Sequence, residues 1–108
     1  KEVEASHALG VEQIELHTGE YAHAAGDALA EKRELHRLAV AAQRGSELGL
    51  EIAAGHGLRT TNLGTLVAIP ELVELNIGHA VIAEAVFIGL AGAVRAMLAA
   101  IAVGRAPR

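Results

Sequence analysis

Apolar and polar positions along the chain follow two different rhythms. Three short apolar runs, at residues 13–17, 51–56 and 73–79, have the length of strands and lead into polar or glycine-containing turns. Between the first two runs, Leu35, Leu38, Ala39 and Ala42 recur at helical spacing. Asp27 stands where an N-cap is needed, and Gly49 stands where the helix must end in a left-handed turn. Between the second and third runs, a shorter helix is expected to begin near Asn62 and to stop before Pro70. Two more helices follow the third run, over residues 80–88 and 90–103. Leu90, Val94, Met97, Leu98 and Ile101 are the expected apolar stripe of the second. Residues 1–9 read as the tail of a helix whose beginning lies outside the chain.

The resulting order is (α)-β-α-β-α-β-α-α. Strands alternating with helices imply crossover connections and a parallel sheet. Such a sheet is buried on both faces, and three strands alone would leave open edges. The chain is therefore expected to be a slice of a larger α/β domain, either a barrel or a doubly wound sheet. It opens on Lys1 rather than Met, which agrees with that expectation.

Composition narrows the function. The 108 residues are 52% hydrophobic but only 2% aromatic, so the core must be built from Ala, Leu, Val and Ile. Net charge is -4 without a basic cluster. A nucleic-acid surface is excluded, because such binding relies on Lys and Arg neutralising phosphates. Cysteine is absent, so disulfides and thiolate metal sites are excluded, and a cytoplasmic setting is expected. Residues 80–103 are apolar and long enough to span a bilayer. Glu84 and Arg95 interrupt them, at roughly 2.5–3.5 kcal/mol each near a helix centre. Gly89 and Gly92 suggest a break, so two helices packed on a sheet are expected instead of a membrane span.

Active sites of parallel α/β folds gather at the C-terminal ends of the strands. The chain places Glu15 and His17 at the first such end, His56 and Gly57 at the second, and Gly78 and His79 at the third. Strand alternation sends Ile14 and Leu16 toward the helices and Glu15 and His17 the other way, into a barrel. A carboxylate facing an interior is either used in chemistry or satisfied by a cation from elsewhere. His56, between two glycines, can be approached closely and suits general acid–base work. Gly78 and His79 precede a short helix whose N-terminal N–H groups can hold a phosphate. His7, His23 and His36 are expected on the surface, and His17 is left open. A metal held by His17, His56 and His79 is the rival reading.

Three segments resemble the pyridoxine 5'-phosphate synthase family. They are Ile14-Glu15-Leu16-His17-Thr18-Gly19-Glu20-Tyr21-Ala22, Ala54-Gly55-His56-Gly57-Leu58, and Glu74-Leu75-Asn76-Ile77-Gly78-His79-Ala80. The resemblance implies that residues 1–108 are the C-terminal part of a single (β/α)8 barrel, with strands six to eight. It implies condensation of 3-amino-2-oxopropyl phosphate with 1-deoxy-D-xylulose 5-phosphate, without a metal or organic cofactor. Glu15 would stabilise charge, His56 would donate a proton, and Gly57, Gly78 and His79 would bind substrate, chiefly phosphate. A cytoplasmic homo-oligomer, an octamer, is also implied. Ala53 stands where the family usually has Asn, and Arg59-Thr60-Thr61-Asn62 lacks its usual Tyr. Glu84 replaces an Arg or another polar group. On this reading the segment alone neither folds stably nor turns over substrate. A metal-dependent barrel enzyme and a non-catalytic phosphate-binding fragment are the alternatives.

Overall fold

Each of the three apolar runs holds a strand, the third ending at Asn76 and not at His79. The computed structural model describes residues 2–106. In chain order the elements are α1 (Glu2–Ala8), β1 (Gln13–His17), α2 (Gly19–His23), α3 (Ala28–Glu47), β2 (Glu51–Gly55), β3 (Leu72–Asn76), α4 (His79–Ile88) and α5 (Leu90–Arg105). The strands form one parallel sheet with β2 in the centre.

The longest helix begins and ends as its sequence dictates. Asp27, in extended backbone, accepts the Ala30 N–H at 3.1 Å, a cap worth about 1 kcal/mol. At the other end Gly49 takes a φ of 84°, and the Leu50 N–H returns to the Gly45 carbonyl at 3.0 Å. Leu38 and Ala42 are buried against Ile52 and Ala54, with Ile14, Leu16, Leu35 and Ala39 packed around them. Gly45 lets this helix approach closely, since a Cβ there would meet Ile52 Cδ1 at 2.5 Å.

A second cluster joins Leu63, Val67 and Met97 to Leu75, Ile77, Ala100 and Ile101. It corrects two expectations. No regular helix forms from Asn62. Residues 57–71 instead run through turns, held by Leu63 N–H to Arg59 O at 3.1 Å and Val67 N–H to Leu63 O at 2.9 Å. The reason lies in α5. Arg105 donates to the carbonyls of Val67, Ile69 and Leu72 at 3.1, 3.0 and 2.7 Å, replacing the partners that a helix would supply. The second correction concerns the stripe of α5, where Leu90, Val94 and Leu98 are exposed and the inward face is Ala93, Met97 and Gly104 with half-buried Ala100 and Ile101. Small residues win because the turns press on the helix. A Cβ on Gly104 would strike Val67 Cγ2 and stand 2.6 Å from the Gly64 carbonyl oxygen.

Gly89, with φ at 80°, separates α4 from α5. Among the described residues no helix is long and apolar enough to cross a membrane. None of the α4 residues is buried, and Ile82, Val86 and Phe87 stand exposed.

One irregularity sets the faces of the sheet. Ile52 pairs with Leu72 but Ala53 pairs with Glu74, so Val73 is an extra, exposed residue. Ile14, Ile52 and Leu72 thus share one face with Leu16, Ala54 and Leu75, and that face carries the packed core. The opposite face presents Gln13, Glu15 and His17 from β1, Ala53 and Gly55 from β2, and Glu74 and Asn76 from β3. Glu15 and His17 lie opposite Ile14 and Leu16, as alternation requires.

Candidate active site at the strand ends

The C-terminal ends of the strands open into a cleft of about 1020 Å³. Glu15, His17, His56, Gly57, Gly78 and His79 all line it. Every residue that the sequence singled out therefore faces the same space, from three consecutive strand ends.

Glu15 is held from the side. Asn76 Nδ2 donates to Glu15 Oε1 at 2.7 Å across the central strand. The carboxylate fits there because Gly55 lies beneath it: a Cβ on Gly55 would stand 2.8 Å from Glu15 Oε1 and 2.9 Å from the Asn76 carbonyl oxygen. Nearer the start of the strands, Gln13 Nε2 donates to Glu74 Oε2 at 3.3 Å. Ala53 lies between Glu15 and Glu74 in the register and is buried. Carboxylates thus flank the position where the family usually has Asn.

His56 stands just past β2 with a φ of 102°. That region is unfavourable for a residue with a Cβ, by about 1–3 kcal/mol. Thr18, fully buried, holds it: the Thr18 N–H donates to Gly55 O at 2.9 Å, and Thr18 Oγ1 donates to His56 O at 2.7 Å. The His56 ring stacks on His17, with centroids 4.4 Å apart and planes 29° from parallel. Gly57 follows with φ at 76°, close under Ala22 of α2, whose Cβ would lie 2.7 Å from any Cβ placed there.

The loop after His56 is fastened by Asn62. Its Oδ1 accepts the Arg59 N–H at 2.7 Å and its Nδ2 donates to Gly57 O at 3.0 Å. Its carbonyl takes the hydroxyl of Tyr21, which also lies 2.9 Å from Thr65 Oγ1. Burial of Tyr21 pushes its phenol above the ordinary value, partly countered by the Thr65 hydrogen bond.

On the third side, Gly78 caps α4 and His79 is its first residue, so the free N–H groups of that ten-residue helix begin at the cleft. Nothing lies within 4 Å of a Cβ placed on Gly78, so the approach to this helix end is open. Glu84, one of the departures noted above, lines the same cleft. His23, expected as a plain surface residue, is exposed but also reaches its wall.

A three-histidine metal centre does not assemble. Among the described residues no group of three His, Asp or Glu side chains converges on a point that could hold an ion. His17 and His56 stack face to face, which keeps their ring nitrogens from pointing at a shared centre.

Comparison with known proteins shows the family. The family model for "pyridoxal phosphate biosynthesis protein PdxJ" matches residues 1–103. The chain belongs to this family. Among curated relatives, the protein named pyridoxine 5'-phosphate synthase from a Sulfurihydrogenibium species is 46% identical over 97 residues. That match covers 90% of this chain and 39% of the relative. Proteins of the same name from Ruegeria pomeroyi and Roseobacter denitrificans are each 48% identical over 99 residues, covering 90% of this chain and 40% of theirs. The chain thus spans about 40% of the length of the relatives it matches.

Sequence reasoning missed the supports of this cleft in the PdxJ-family chain. Thr18, Asn76 and Asn62 carry little signal as single polar residues in short motifs. Thr18 could have been found, because a polar residue between a strand end and a glycine is well placed to tie two loops together.

Proposed function

We propose that residues 1–108 form the C-terminal part of a (β/α)8 barrel and supply half of a pyridoxine 5'-phosphate synthase active site. The observation that carries this reading is the meeting of Glu15, His56, Gly57, Gly78 and His79 at one cleft, at the ends of β1, β2 and β3. The uncovered polar sheet face supports a barrel, since the remaining strands would close over it. In the reaction, 3-amino-2-oxopropyl phosphate and 1-deoxy-D-xylulose 5-phosphate give pyridoxine 5'-phosphate, inorganic phosphate and water.

Ring closure needs proton transfers and loss of water. His56 is the proton donor, because its ring reaches the cleft on a fixed backbone. Glu15 stabilises positive charge as it develops, its carboxylate pinned by Asn76 and so spared reorganisation during the reaction. The N-terminal N–H groups of α4, with Gly57, Gly78 and His79, take a substrate phosphate. No step requires a metal or organic cofactor. The exposed apolar residues of α4 and α5 suit a cytoplasmic homo-oligomer, in which they would be covered.

The test is product formation by the intact protein carrying this chain, given both substrates, beside His56→Ala. Pyridoxine 5'-phosphate from the wild type and a loss of about 10²-fold or more in the variant supports the reading. No product from a folded wild type sinks it.

A further inference from the structure

The sequence left His17 without a role, and the geometry gives it one. We infer that His17 is a positioning residue that holds the His56 imidazole by ring stacking. This rests on the reading of His56 as the proton donor.

A donor presents one ring nitrogen to substrate, so its ring is oriented by a bond to the other nitrogen or by contact with its face. Among the described residues, the hydrogen bond recorded at His56 engages its carbonyl, through Thr18 Oγ1. Its ring is met by His17, at 4.4 Å and 29°. The His17 ring is itself fixed, since its Nδ1 accepts the Gly19 N–H at 3.3 Å. Gly19 is built around the pair: a Cβ there would stand 2.5 Å from His17 Cε1 and 3.3 Å from His56 Cδ2. Thus three successive residues serve His56. His17 sets the ring plane, Thr18 holds the backbone, and Gly19 leaves room for both rings.

Stacking requires a flat ring and not an ionisable one, so alanine and phenylalanine at position 17 separate this role from direct chemistry. In the intact protein, His17→Ala is expected to lower kcat about tenfold while KM stays within about twofold, as befits the loss of one stacked pair. His17→Phe is expected to keep kcat within about threefold of wild type. Wild-type kcat in His17→Ala overturns the inference, and so does a His17→Phe enzyme as impaired as the alanine variant. A change confined to KM overturns it as well, because His17 would then be a substrate contact.

A second readout needs no turnover. NMR of the substrate-free protein should show the His56 ring protons shifting in His17→Ala as the neighbouring ring current is lost, and staying near their wild-type positions in His17→Phe. An unchanged His56 signal in His17→Ala overturns the inference even if the wild type makes no product. Absence of product alone counts against the proposed function, and the ring signal still decides the stack.

Discussion

Gly55→Ala joins the sheet to the chemistry in one substitution. The added methyl would stand 2.8 Å from Glu15 Oε1, 2.9 Å from the Asn76 carbonyl oxygen and 3.2 Å from Asn76 Cβ. A carboxylate can swing away, but the carbonyl belongs to the neighbouring strand of a paired sheet and cannot. Overpacking of this kind costs about 1–3 kcal/mol. Alanine recovers about 0.5–1 kcal/mol of chain entropy relative to glycine in a regular element. The net destabilisation is therefore about 0–2.5 kcal/mol, small enough to leave a folded protein for assay. The larger effect falls on Glu15, which must leave its 2.7 Å bond with Asn76. Removing one preorganised electrostatic group from an active site lowers kcat by about 10²–10³. Displacement without removal should lower it at least tenfold. Urea unfolding and steady-state kinetics on the intact protein separate the two effects. Gly64→Ala serves as control, because a Cβ there meets nothing within 4 Å. Wild-type kcat in Gly55→Ala, with Glu15 still bonded to Asn76 in a crystal structure of the variant, would refute the reasoning.

Three more outcomes are expected. Arg105→Lys should destabilise by about 2 kcal/mol in urea, because an ammonium cannot reproduce a planar fork that serves the Val67, Ile69 and Leu72 carbonyls together. Burial raises the Tyr21 phenol above 10.0, so its contribution to stability is fully present below about pH 10 and is lost as pH rises through the folded value. Absorbance at 295 nm, differenced against Tyr21→Phe, should show Tyr21 ionising later in the folded protein than in urea. The isolated 108-residue segment should give no cooperative melt by far-UV CD, since α4 buries none of its residues and one sheet face has no cover; a sharp transition would contradict this.

Much of the fold was legible because its signals are local. Asp27 and Gly49 bound the long helix, and strand alternation separated Ile14 and Leu16 from Glu15 and His17. The helix expected near Asn62 failed because its apolar spacing records burial under α5 and not helical periodicity. Leu63, Leu66 and Val67 are fully packed, yet their backbone is satisfied in part by a guanidinium from residue 105, a partner no local pattern can reveal. The stripe of α5 misled for a related reason. Large apolar residues suggested the buried side, whereas close approach at Gly104 required small ones. The meeting of Glu15, His56, Gly57, Gly78 and His79 at one cleft was readable from their positions at strand ends. The bond from Asn76 to Glu15 joins residues 61 apart, and the face that Asn76 shares depends on an extra residue within its own strand.

That extra residue, Val73, works as a phase shifter. Counting by twos from Leu72 would put Glu74 and Asn76 among the apolar contacts, but the pairing moves both across the sheet. Deleting Val73 should therefore be milder than deleting a neighbour, since Leu72 could still meet Ile52 and Glu74 could still meet Ala53. Inserting one residue between Val73 and Glu74 is the harmful edit. Plain alternation from Leu72 would then keep the faces but slide Glu74 and Asn76 along the strand, away from Ala53 and Gly55. Grafting this strand into another scaffold has to carry the irregularity along with the side chains.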